Sequence, residues 1–88
     1  MLRLWGKLIK DNHIIRDHVA ENTSADTPTH RIMGALDEIC GVFDLEKPLW
    51  LDTNIRAFQN HRKTRFTQDN FIETIPFDAL EIELLEID

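Results

Sequence analysis

Eighty-eight residues, 42% apolar and 30% charged, suffice for one domain around one hydrophobic core. The single cysteine, Cys40, rules out an internal disulfide and a cysteine-built zinc site, and apolar runs of at most three residues, as in Leu49-Trp50-Leu51, leave no membrane-spanning segment. The net charge of −6 weighs against nonspecific binding to nucleic acid or an anionic membrane.

That charge is unevenly spread. All ten Lys and Arg lie in residues 1–65, where nine acids leave +1, while residues 66–88 carry seven acids and no base. Arg3 and Lys7 are followed by no continuous apolar stretch and no small-residue cleavage site, so a cytoplasmic protein is expected.

Residues 2–21 read as a β-hairpin. Leu2, Leu4 and Leu8 alternate on the first arm, and Ile14, Ile15 and Val19 mark the second. Asp11-Asn12 supplies a two-residue turn, because both residues tolerate positive φ. An unbroken register from that turn sets Ile9 opposite Ile14, Leu8 opposite Ile15, Trp5 opposite His18 and Leu4 opposite Val19. The core face is then Leu4, Leu8, Ile15 and Val19, marred by Asp17 opposite Gly6. The other face holds Arg3, Trp5, Lys7, Ile9, Ile14, Arg16 and His18.

After a polar loop, Thr27-Pro28 starts a helix, with a hydroxyl N-cap and proline at the first helical position. The helix runs to about Phe43 with Ile32, Met33, Leu36, Ile39, Cys40 and Phe43 on one stripe. Leu49-Trp50-Leu51 reads as a short buried strand. Asp52 or Thr53 caps a second helix from about Asn54 to Phe66, with Ile55, Phe58 and Phe66 inward. Thr67 to Asn70 form a short turn. Residues 79–87 admit two readings: a helix, from the capping box of Asp78-Ala79-Leu80-Glu81, or a strand, from Leu80, Ile82 and Leu84 alternating with Glu81 and Glu83. The strand is taken, because Glu86 and Asp88 would be unfavourable at a helix C-terminus. The order ββαβαβ predicts an α+β fold, a four-stranded mixed sheet with both helices packed on one face and the other face uncovered.

The uncovered face is the first candidate site. Trp5, Ile9, Ile14 and His18 ringed by Arg3, Lys7 and Arg16, with Trp50 pointing the same way, have the composition of an interface core. The competing reading covers this face with a loop or the acidic last strand, whose Glu81 and Glu83 pair with Arg3, Lys7 or Arg16. A second candidate is the basic segment Arg56, His61, Arg62, Lys63 and Arg65. On a helix these side chains spread around the circumference and form no phosphate-tracking stripe. His13, His18, His30 and His61 form no metal-ligand spacing. Cys40 sits on an apolar stripe, as a core residue would. No catalytic triad, phosphate-cradling loop or dinucleotide fingerprint is present, so no catalytic residue, metal or cofactor is assigned.

The stretch Leu49 to Arg56, with His61 to Phe71 after it, resembles small uncharacterised bacterial proteins over about the second half of the chain. That resemblance implies no activity, cofactor or site residue. The residues favour a small noncatalytic protein-interaction module that self-associates, as a homodimer or with a protein partner, through the open sheet face or an edge strand. The alternative is a nucleic-acid-binding module using Arg3, Lys7 and Arg16 or the basic segment, and a small enzyme or enzyme accessory subunit comes third.

Overall fold

The structure is a computed structural model in which residues 1–87 are described. Strands β1 (Leu2–Lys10) and β2 (His13–Asn22) meet at Asp11 and Asn12, whose φ angles of 53° and 65° build the expected two-residue turn. Next to the turn the expected pairing holds, with Lys10 opposite His13 and Ile9 opposite Ile14. Beyond it the ladder shifts. Leu8 faces Arg16, so Ile15 is an extra residue and the strand bulges there.

That one residue exchanges the faces of the rest of β2. Ala20, opposite Leu4, enters the core at 0% exposure, while Ile15 is half exposed and Val19 leaves the core face. Asp17 moves to the open side, which removes the misfit of an acid facing Gly6. Arg16 and His18 cross to the helix side. There Arg16 donates to the Val42 carbonyl at 3.3 Å, and His18 Nε2 lies 2.7 Å from Glu38 Oε2.

Helix α1 (Pro28–Phe43) has the expected cap, the Thr27 hydroxyl accepting from the His30 N–H at 3.3 Å with proline in the first turn. Leu36, Ile39, Cys40 and Phe43 are buried, whereas Met33 stays partly exposed. Gly6 gives α1 its close approach to the sheet, since a Cβ there would stand 2.5 Å from Ile39 Cγ2. Gly6→Ala is expected to cost about 1–3 kcal/mol by overpacking. Denaturant unfolding checks this, and combining it with Ile39→Ala should cost less than the sum of the two.

Leu49-Trp50-Leu51 is not a strand. The Leu49 N–H donates to the Asn70 carbonyl at 2.7 Å, and the Leu51 N–H to Asn54 Oδ1 at 3.1 Å. Helix α2 (Asp52–His61) ends earlier than expected, at Arg62 in the left-handed region with φ 58°, and its N-cap is Leu51. The chain then enters strand β3 (Lys63–Phe66), a short 3-10 turn (Gln68–Asn70), and strand β4 (Ala79–Glu86), the last close to its expected bounds.

The sheet order is β2-β1-β4-β3 with every pairing antiparallel. The α+β class and, among the described residues, four strands and two helices are as expected, but the sheet is antiparallel throughout and not mixed. The third strand, however, follows α2 instead of preceding it, so the element order is ββααββ and no parallel crossover is needed to close the sheet. Thr64, Ile82 and Gly6 lie in one row across the sheet, with Asn54 of α2 bonded to Thr64 and Ile39 of α1 against Gly6. Both helices therefore cover one face. Leu2, Leu4, Leu8, Phe66, Leu80 and Ile82 floor the core beneath them.

Candidate interaction surface

On the uncovered face the charges alternate by strand. β2 presents Asp17 and Glu21, β1 presents Arg3 and Lys7, β4 presents Glu81 and Glu83, and β3 presents Lys63 and Arg65. In register, Arg3 opposes Glu21, Lys7 lies between Asp17 and Glu81, Arg65 opposes Glu81 and Lys63 opposes Glu83. Lys7 Nζ reaches Glu81 Oε2 at 2.8 Å and Glu83 Oε1 at 3.1 Å, while Arg65 Nε donates to Glu81 Oε1 at 2.8 Å. The Trp5 ring lies against this ladder. Its Nε1 donates to Asp17 Oδ2 at 2.9 Å, and Lys7 Nζ stands 3.9 Å from the ring centroid. Opposite charges on facing strands stabilise pairing.

Burial opposes charge on both central groups. For Lys7, burial works to lower the pKa, but the hydrogen bonds and charges of Glu81 and Glu83 together hold it above the ordinary lysine value. For Glu81, burial works upward, yet the hydrogen bonds and charges of Lys7 and Arg65 leave it below the ordinary carboxylate value. A depressed carboxylate contributes stability that is present above its unfolded pKa, about 4.3 for glutamate, and lost as pH falls through the folded value. A raised lysine contributes stability that is present below about 10.4 and lost as pH rises through the folded value. Chemical denaturation across pH should therefore show acid-side and alkaline-side losses that both shrink in a Lys7→Met, Glu81→Gln double variant.

Of the residues expected on this face, Arg3, Trp5, Lys7, Ile9 and Ile14 are there, with Ile9 buried between Ile14 and Ala79. Arg16 and His18 are not, because of the bulge. Trp50 is also absent. It packs edge-on against Phe58 and Phe66 on the helix side, with ring centroids 5.7 and 5.0 Å away. Asp17, Glu21, Glu81 and Glu83, with Lys63 and Arg65 of β3, complete the charged face, and the acidic last strand is its neutralising element. Arg56 is exposed in the middle of α2, Arg62 just past its end and Lys63 at the start of β3, and Arg65 is tied to Glu81.

The two sheet edges differ. β2 is an outer strand of ten residues, and Ile14 and Ile15 near its start are 53% and 50% exposed. β3, the opposite edge, has four residues with Lys63 and Arg65 exposed. An unpaired outer strand offers its backbone donors and acceptors to another chain, and lysine on a short edge discourages this.

Between the helices lies an apolar groove of about 340 Å3, lined by Ile32, Met33, Trp50, Ile55 and Phe58. The Trp50 indole N–H is sealed from solvent and has no acceptor among the described residues. Burial pushes the Cys40 thiol up to about 11, so it stays protonated at neutral pH. Among the described residues no three His, Cys, Asp or Glu side chains converge as metal ligands, and no helix is long and apolar enough to cross a membrane. Comparisons with family models, curated proteins and solved structures give no match to this chain.

Proposed function

We propose that this chain is a noncatalytic protein-interaction module that joins copies of itself through an edge of its sheet rather than through the open face. The observation that carries this is the outer strand β2, ten residues long with Ile14 and Ile15 half exposed on it. The open face is a weaker candidate because its charges already satisfy one another across the strands. Strand-to-strand addition takes affinity from main-chain hydrogen bonds and needs no deep pocket.

Sedimentation equilibrium over a concentration series tests the proposal. Wild type should rise above the monomer mass, and an Ile14→Lys, Ile15→Lys variant should stay near it while keeping its circular dichroism. A wild type that remains monomeric at every concentration overturns the reading.

A second reading, nucleic-acid binding, is favoured by the exposed basic side chains Arg56, Arg62 and Lys63. It requires binding to generic RNA or DNA that falls steeply with added salt. Binding of that kind, lost in an Arg56→Gln, Arg62→Gln, Lys63→Gln variant, would favour it over edge pairing.

A further inference from the structure

We infer that the joint between copies is head-to-tail, with strand β3 of one copy pairing antiparallel to strand β2 of the next. This rests on the edge-pairing reading and specifies which edges meet. The open-face charges run acidic, basic, acidic, basic across β2, β1, β4 and β3, so the sheet begins with an acidic edge and ends with a basic one.

Each inner charged strand has an oppositely charged neighbour on both sides, and each outer strand has one on a single side. Glu81 of β4 is held by Lys7 at 2.8 Å and by Arg65 at 2.8 Å. Arg65 of β3 has Glu81 on its inner flank and no further strand beyond it; its carbonyl already accepts from Asn54 Nδ2 at 2.9 Å, which leaves its N–H and the backbone of Lys63 for a partner. Glu21 of β2 meets Arg3 at 3.8 Å on its inner flank and likewise has no strand beyond it.

Three pairings of edges are possible. Joining β2 to β2 brings Asp17 and Glu21 of two copies together, and joining β3 to β3 brings Lys63 and Arg65 together. Like charges on facing strands are destabilising. Joining β3 to β2 continues the alternation across the boundary. It also keeps the sheet antiparallel throughout and leaves all helices on one side. The charges that discourage β3 from pairing with its own kind thus select the opposite edge as its partner.

A head-to-tail joint does not close at two copies. It forms rings or open chains, in contrast to a two-fold dimer. Each joint engages at most the four residues of β3, so association should be weak and concentration-driven.

The test uses wild type, Lys63→Glu, Glu21→Lys and an equimolar mixture of the two variants, followed by sedimentation equilibrium at low salt, with near-ultraviolet circular dichroism to verify folding. Wild-type mass should climb past the dimer value. Each variant alone should associate about ten-fold more weakly. The mixture should recover, because the β3 edge of Glu21→Lys and the β2 edge of Lys63→Glu are both unaltered and form a wild-type joint. If Lys63→Glu perturbs the fold, Lys63→Gln replaces it, with the same direction and a smaller effect. A wild-type mass that levels off at a dimer, a Lys63→Glu variant that associates like wild type, or a mixture that fails to recover overturns the head-to-tail joint and leaves self-association standing. A strictly monomeric wild type removes both.

Discussion

Replacing Asn54 with leucine is expected to cost about 3–4 kcal/mol, because several buried polar groups lose partners at roughly 1–3 kcal/mol each. Asn54 is 5% exposed, and both ends of its amide are used twice. Its Oδ1 accepts from the Leu51 N–H at 3.1 Å and from Asn70 Nδ2 at 2.7 Å. Its Nδ2 donates to Thr64 Oγ1 at 3.0 Å and to the Arg65 carbonyl at 2.9 Å. Asn70 extends the knot, donating to the Leu49 carbonyl at 2.8 Å and accepting from the Thr67 N–H at 3.0 Å. The start of α2, the strand β3 and the loop before α2 are therefore tied at one point. With about 4–8 °C of Tm per kcal/mol in a domain of this size, thermal unfolding should fall by more than about 10 °C. Asn60→Leu, exposed on the same helix, should move Tm little. Equal effects at the two positions would show that the knot is not what holds α2.

The second large effect is expected at Phe66, which is 0% exposed at the end of β3. Phe66→Ala should cost about 3–5 kcal/mol, the loss of transfer energy plus the cavity left behind. Phe66 also supports the Trp50 ring, 5.0 Å away edge-on. In a Trp5→Phe background the remaining indole emission comes from Trp50 alone, and Phe66→Ala should shift it to the red as water reaches the ring. A stability loss under about 1 kcal/mol would mean that the site collapses around the deletion, contrary to its place in the core floor.

The hairpin turn and the start of α1 were legible because local chemistry decides them, while the last strand had a capping box competing with its alternation. Asp11 and Asn12 accept positive φ, Thr27-Pro28 is a helix start in any context, and residues 79–87 alternate at the strand period. The bulge at Ile15 was not legible, since no residue type demands it. Its one trace was Asp17 on an otherwise apolar face, and tertiary packing resolved that conflict by shifting the ladder one residue. The break at Arg62 was equally silent, because the left-handed position is held without glycine or asparagine. Its signal lay just beyond, in Lys63-Thr64-Arg65-Phe66, where an alternating β-branched and aromatic pair faces inward. Leu49-Trp50-Leu51 has strand composition but spends its backbone hydrogen bonds on Asn70 and Asn54 instead of a neighbouring strand.

Those two local events determined what could be read of the candidate surface. Arg3, Trp5, Lys7, Ile9 and Ile14 follow from the β1 period and the turn alone. The alternation of charge between strands depends on knowing that β3 exists and that β4 lies between it and β1, and neither is a local property of the chain.

Hydrogen exchange of the β2 amides, followed by mass spectrometry over a wide range of protein concentration, tests edge pairing most directly. Half of the β2 backbone N–H groups point away from β1 and have no partner within the sheet. Edge pairing predicts that these amides gain protection as concentration rises, together with those of Lys63 and Arg65, while the already protected β1 and β4 amides do not change. Exchange of β2 that is fast and independent of concentration, in a sample whose central strands stay protected, would contradict it.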